Sequence, residues 1–297
     1  MQDKTDELIQ AELELAGCDP EAVRLMEKHR ITRLQDVQPM EFLLRLFGKP
    51  VLPRKEVVAF TGKAKSGKTF VLSVVMACCA RQEVLAFSRP DIRPLRVLWI
   101  DTEQSECSTQ EILRDRIVPL VGMEQFPDGL FDIFNLRMLS WQDRQRLTKA
   151  AIGWYRPDLV IIDGIADLVA DINDAVESKQ AVENLMRLAS INNCCVACVI
   201  HENKSMLDRT IRGWLGTEVT NKAFEVYTCE KDVNRTFSLS QKLTRKYDIA
   251  EKLYFTVDEQ GLPQQAGAPA VRRGKGRKQK PKANDNGHQK DIGFSEE

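Results

Sequence analysis

The sequence predicts an α/β fold with a mainly parallel central sheet, and three observations carry that expectation. Gly62-Lys63-Ala64-Lys65-Ser66-Gly67-Lys68-Thr69 fits G-x-x-x-x-G-K-[ST] at every fixed position. It stands between a strand-like run, Val57 to Thr61, and a helix-like run, Phe70 to Arg81, which contains no Gly or Pro. Arg96 to Asp101 and Asp158 to Gly164 are aliphatic runs closed by acids, the pattern of strands buried on both faces. Segments with apolar residues at helical spacing alternate with these runs, as parallel crossover connections require.

The chain has 297 residues and 43% hydrophobic content, enough for one large α/β domain with appendages. Basic and acidic residues balance at 43 each. From Ala266 onward eight Lys or Arg face four acids, so the tail is basic and the remainder mildly acidic. Eight cysteines raise the question of disulfides or a metal. Cys78 and Cys79 fall in the helix after the Gly62–Thr69 loop, and Cys194, Cys195 and Cys198 fall in an apolar strand, so they read as small core residues. Cys195 and Cys198 would point to opposite strand faces, and no second Cys/His pair completes a zinc site. No signal-like N-terminus and no 18-residue apolar run occurs, which makes a reducing cytoplasm, with no membrane, the expected setting.

Taken in order, residues 1–50 are expected to form a short helical N-terminal segment. Asp19-Pro20 punctuates one helix there, and Met40 to Phe47, apolar on most of its circumference and stopped by Gly48, reads as another. Such a piece must pack on its own domain or on a neighbouring subunit. Residues 51–262 are expected to form the main α/β domain, which carries the Gly62–Thr69 loop. After the first strand and helix come a strand at Arg96–Asp101, a helix over Ser108–Leu120, a strand at Leu130–Asn135 and a helix at Trp141–Tyr155. The strand Asp158–Asp163, a helix between Asp174 and Leu188 and a strand over Asn193–Ile200 follow. A loop is expected from His201 to Thr220, then antiparallel strands at Phe224–Cys229, Thr236–Leu243 and Leu253–Val257, with turns at Asp232-Val233-Asn234 and Glu259-Gln260-Gly261. Residues 263–297 form a basic tail, rich in Gly, Lys, Arg, Asn and Pro, that is expected to be disordered.

The loop Gly62, Lys63, Ala64, Lys65, Ser66, Gly67, Lys68, Thr69 is a phosphate-binding pattern for a physical reason. Backbone N–H groups can wrap a triphosphate only where side chains do not block them, and Gly62 and Gly67 clear that space. A helix beginning near Gly67 aims its free N–H groups at the phosphates, Lys68 adds a cation over the β and γ groups, and the Thr69 hydroxyl is suited to Mg²⁺. Asp163, closing its aliphatic run, is the matching metal carboxylate. ATP with Mg²⁺ is therefore the expected ligand. The bland alternative, a chance match in a Lys-rich surface loop, is disfavoured by the flanking strand and helix.

These motifs in this order, over about residues 50–260, resemble the RecA-like P-loop ATPases, and among them the hexameric replicative helicases of the RepA and DnaB type. The resemblance implies a RecA-like core and roles for further residues. Glu103, in Ile100-Asp101-Thr102-Glu103, matches the glutamate that activates the attacking water. His201, in Val199-Ile200-His201-Glu202-Asn203-Lys204, matches the polar sensor of the γ-phosphate; a structural hydrogen-bonding histidine is the other reading. Lys242 and Arg245 are the candidates for basic residues that complete a neighbouring subunit's site, although their spacing departs from the Lys-x-Arg expected there and Lys246 stays open. The resemblance also implies a homo-oligomer, a hexamer above all. It further implies movement on single-stranded DNA in plasmid or mobile-element replication, with contacts from Lys204, Arg209, Arg212 and Trp214 and from the basic tail. A solubilising or linker role is the other reading of the tail. Lys63 directly after Gly62 is instead similar to the partitioning ATPases, which keeps a second class open: an ATP-driven regulator, loader or partitioning ATPase that unwinds nothing. A nucleotide-binding module with negligible hydrolysis is a third.

Overall fold

The computed structural model describes residues 16–122, 129–202 and 213–269. The helix α1 (Pro20–Lys28) begins where Asp19 caps the Glu21 amide, and none of its residues is buried. Two strands follow, β1 (Phe42–Leu46) and β2 (Lys49–Pro53), pairing antiparallel as a hairpin. The helix expected over Met40–Phe47 is thus corrected. Gly48, at a φ of 78°, turns the chain back, and Leu43, Leu44 and Leu46 enter the core from an extended strand. The hairpin crosses the boundary expected at residue 50 and packs into the same core as the rest.

The strand β3 (Val57–Gly62) leads through the phosphate-loop residues into α2 (Lys68–Ala80). Two short strands missed by sequence reading, β4 (Glu83–Val84) and β5 (Phe87–Ser88), join the hairpin as a four-stranded antiparallel sheet. After β6 (Val97–Asp101), the expected Ser108–Leu120 helix is α3 (Glu106–Glu111), a π-helical stretch at Ile112–Ile117 and α4 (Val118–Val121). Next come β7 (Phe131–Asn135), α5 (Trp141–Tyr155), β8 (Leu159–Asp163), a 3₁₀ turn at Ile165–Leu168, α6 (Ala175–Asn192) and β9 (Cys195–His201). The loop expected up to Thr220 contains a helix, α7 (Gly213–Lys222), because Leu215 and Val219 are held in the core at helical spacing.

The strands β10 (Glu225–Lys231), β11 (Phe237–Thr244), β12 (Leu253–Val257) and β13 (Pro263–Ala266) end the described chain. The last extends the fold past residue 262, where a disordered tail was expected to begin. Residues 270–297, with the basic cluster, lie outside the described residues.

The main sheet has nine strands in the order β13-β12-β11-β10-β3-β9-β8-β6-β7. Strands β10, β3, β9, β8, β6 and β7 run parallel, so β10 is not wholly in the antiparallel set expected of it. Only its pairing with β11, and the pairings beyond, are antiparallel. Alternate residues of each parallel strand feed two cores. Phe60, Trp99, Ile161 and Val199 face α2 and the small sheet, whereas Ala59, Ile100, Ile162 and Ile200 face α5, α6 and α7. Cys195 and Cys198 fall on opposite faces, as their spacing required, and all six buried cysteines are free thiols. At the amino edge Asp158 accepts from Arg54 Nη2 at 2.6 Å and from the Arg96 amide at 2.8 Å, tying β2 to β8. Asp101, Asp163, His201 and Gly62 consequently end their strands along one carboxyl edge.

Candidate functional site

The phosphate loop is shaped by its glycines. Gly62 has a φ of 144° and Gly67 a φ of 96°, both in the region that L side chains avoid. A Cβ on Gly62 would collide with the Cys229 carbonyl oxygen, and one on Gly67 would stand 2.5 Å from Phe237 Cδ1. These glycines therefore admit the β10–β11 hairpin as well as open the backbone. Lys68 is 6% exposed, and its ammonium donates to the carbonyls of Gly62 (3.1 Å) and Lys63 (3.0 Å). Burial pulls its pKa below the ordinary lysine value, against the opposing influence of Cys229, Glu103, Asp163 and Glu202.

Three of the expected residues form one chain of contacts. Lys68 Nζ lies 3.1 Å from His201 Nδ1, and His201 Nε2 lies 3.2 Å from Glu103 Oε1. An ammonium only donates, so Nδ1 accepts; Nε2 then carries the proton and donates to Glu103. That hydrogen bond is the main influence holding the Glu103 carboxyl below its usual range; burial pushes the other way. Asp163 is buried beside them, and burial, joined by the charges of Glu103 and Asp101, raises its pKa to about 7. The Thr69 hydroxyl hydrogen-bonds to it, and with Lys68 it opposes the rise.

A crowded carboxylate beside a hydroxyl at the phosphate loop suits a divalent cation. Thr69 and Asp163 therefore fit Mg²⁺, with the nucleotide supplying further oxygens. Among the described residues no group of three or more His, Cys, Asp or Glu side chains converges as an all-protein metal site.

Asp101 was not expected to act and holds the geometry instead. It accepts from the amides of Glu103 and Gln104, both at 3.1 Å, and from Thr109 Oγ1 at 2.6 Å. Thr102 Oγ1 donates to the Asp163 carbonyl at 2.9 Å, joining the loop that carries Glu103 to the end of β8. Six further residues line the cleft without having been singled out, Gln104 and Ile112 together with a group of four: Phe70, Arg116, Lys231 and Phe237. Arg116 lies 3.9 Å over the Phe70 ring, Phe70 meets Phe237 at 5.5 Å between centroids, and Lys231 Nζ lies 4.9 Å over Phe237. Burial lowers the Arg116 pKa to about 10, and its Nε has no hydrogen-bond partner among the described residues. No sequence motif marks these positions; they reach the loop only through strand pairing and helix packing.

The structure does not bring Lys242 and Arg245 to this cleft. Leu243, next to Lys242, pairs with Val226, whereas Phe237, at the phosphate-loop end of the same strand, pairs with Lys231. Arg245 instead donates to the carbonyls of Asn221 (3.3 Å) and Lys222 (3.1 Å). Trp214 stands on α7 and is 53% exposed. Lys204, Arg209 and Arg212 lie outside the described residues.

A parallel sheet with a glycine-bounded phosphate loop at the carboxyl edge of its central strand, extended by antiparallel strands, defines a RecA-like P-loop ATPase fold. The AAA_25 family, described as an AAA domain, matches residues 33–206, more than half of the chain. The chain belongs to that family. Among solved structures, a KaiC-like protein from the hyperthermophilic archaeon Pyrococcus horikoshii OT3 is similar in fold. Its TM-score is 0.53 at 11% identity, over 72% of this chain and 91% of that one. No curated protein matches the chain. Among the described residues no helix is long and apolar enough to cross a membrane.

Proposed function

We propose that the chain is a Mg²⁺-dependent ATPase that assembles as a ring, hexameric by preference, and moves on single-stranded DNA in plasmid or mobile-element replication. The observation that supports hydrolysis best is the contact chain Lys68–His201–Glu103 beside Asp163. Water attacks the γ-phosphorus in line, and Glu103 orients it and accepts its proton as the bond to the leaving ADP oxygen breaks. Lys68 and the loop amides hold the β and γ phosphates. Thr69 and Asp163 would hold Mg²⁺, which supplies charge neutralisation at the phosphate oxygens. His201, touching both Lys68 and Glu103, registers the γ-phosphate. Lys242 and Arg245, remote from their own chain's loop, are offered to a neighbouring subunit.

The DNA reading is supported by the family resemblance, by the tail's basic cluster and by the polar and basic segment 203–212, which begins two residues after His201. The test is the ATP turnover rate with and without single-stranded DNA, using Lys68→Ala as the blank. Stimulation by DNA, absent in the blank, is the expected result. Equal turnover in both conditions would replace the motor with an ATP-driven regulator or loader.

A further inference from the structure

Along β10, residues 227, 229 and 231 share one sheet face. Tyr227 and Cys229 are buried in the core on the α2 side, and Lys231 is the next position on that face. Thr228 pairs with Thr61, so Lys231 lies beyond the level of Gly62, above the phosphate loop. Its direct cross-strand partner is Phe237, the residue packed against Gly67. Lys231 lines both the cleft that holds Lys68, Glu103, Asp163 and His201 and the neighbouring cleft formed by Lys63, Ala64, Ser66 and Glu202. Its ammonium rests 4.9 Å from the Phe237 ring, a weak cation–π contact, and no ion pair among the described residues engages it.

We propose that Lys231 is a phosphate-binding residue acting within its own chain, leaving the Phe237 face to contact the terminal phosphate of a bound nucleoside triphosphate. The inference rests on the nucleotide reading of the phosphate loop and deepens it. Charge supplies the reason: a magnesium nucleoside triphosphate stays net negative, the cleft already holds Glu103 and Asp163, and Lys68 is one cation. Lys65 and Arg116 also line the cleft, but Lys65 is exposed and the Arg116 guanidinium is stacked on Phe70; Lys242 and Arg245 are at the other end of the hairpin, so the cation the hairpin offers within one chain comes from its β10 end. Both loop glycines touch this hairpin, at Cys229 and at Phe237, which fixes the Lys231 backbone relative to the loop. Binding of the triphosphate therefore does not wait for a neighbouring subunit.

Titrations of the full chain with a non-hydrolysable ATP analogue and with ADP, at two salt concentrations, test this. The series comprises wild type, Lys231→Gln, Lys231→Arg and Lys68→Ala, with thermal melting as the control for folding. Lys231→Gln is expected to weaken the analogue about tenfold, roughly 1.4 kcal/mol, and ADP by less than about twofold. The difference should shrink at high salt, and Lys231→Arg should restore most of it. Unchanged affinities, or equal losses for both nucleotides, would overturn the assignment. Lys68→Ala should lose both nucleotides; a wild type that binds neither would overturn the nucleotide reading itself, a result distinct from failure of Lys231 alone.

Discussion

His201 has a different neighbour at each ring nitrogen, and this gives it two tasks at once. Its Nδ1 receives the Lys68 ammonium, while its Nε2 proton keeps Glu103 ionised and pointed toward the cleft. Replacing His201 by Ala removes the hydrogen bond that lowers the Glu103 pKa and leaves the burial that raises it. A base works only when deprotonated, so the acid limb of the rate profile for ATP hydrolysis should move to higher pH in His201→Ala. An acid limb that stays in place would dissociate His201 from Glu103. Sequence revealed the loop Gly62–Thr69 because its chemistry needs fixed spacing along a single stretch. Lys231, Phe237 and Arg116 were hidden, since their place at the loop depends on pairing between strands that are distant in the chain.

At the level of elements, the N-terminal hairpin and β10 share a buried acid. Glu225 Oε2 accepts from the Leu52 amide at 3.0 Å and from the Tyr227 hydroxyl at 3.1 Å, while Oε1 has no partner. Burial raises its pKa to about 7. A carboxyl raised on folding stabilises most below its unfolded pKa, and that contribution is lost as pH rises through about 7. The stability difference between wild type and Glu225→Gln should therefore shift against wild type between pH 5 and pH 8, by on the order of 2–3 kcal/mol. Denaturant unfolding of the two proteins across that range checks it; a pH-independent difference would mean that Glu225 does not titrate there. The hairpin itself was misread because Met40–Phe47 is apolar on most sides, a pattern that a strand buried on both faces shares with a buried helix. Helix α7 was read as a loop because Gly213, Gly216, Thr217 and Thr220 are weak helix formers, and tertiary packing of Leu215 and Val219 decides.

The whole molecule is organised by one edge and its opposite. Strand order puts β3 between β10 and β9, so Lys68 sits beside His201, while β8 and β6 deliver Asp163 and Asp101 to the same rim. That convergence was legible because each strand is a continuous aliphatic run ending in its polar residue. The antiparallel strands carry Lys242 and Arg245 to the far end of the β10–β11 pair. The proposed role of these two residues in a neighbouring subunit's site cannot be read from one chain's sequence. We propose that the residues converging on this rim hydrolyse ATP, with Glu103 as the base. Glu103→Gln tests it most directly, with nucleotide affinity and turnover measured on the same preparation. Affinity within a few-fold of wild type and turnover lower by at least about a hundredfold are expected. Turnover at the wild-type rate with ATP still bound would contradict it.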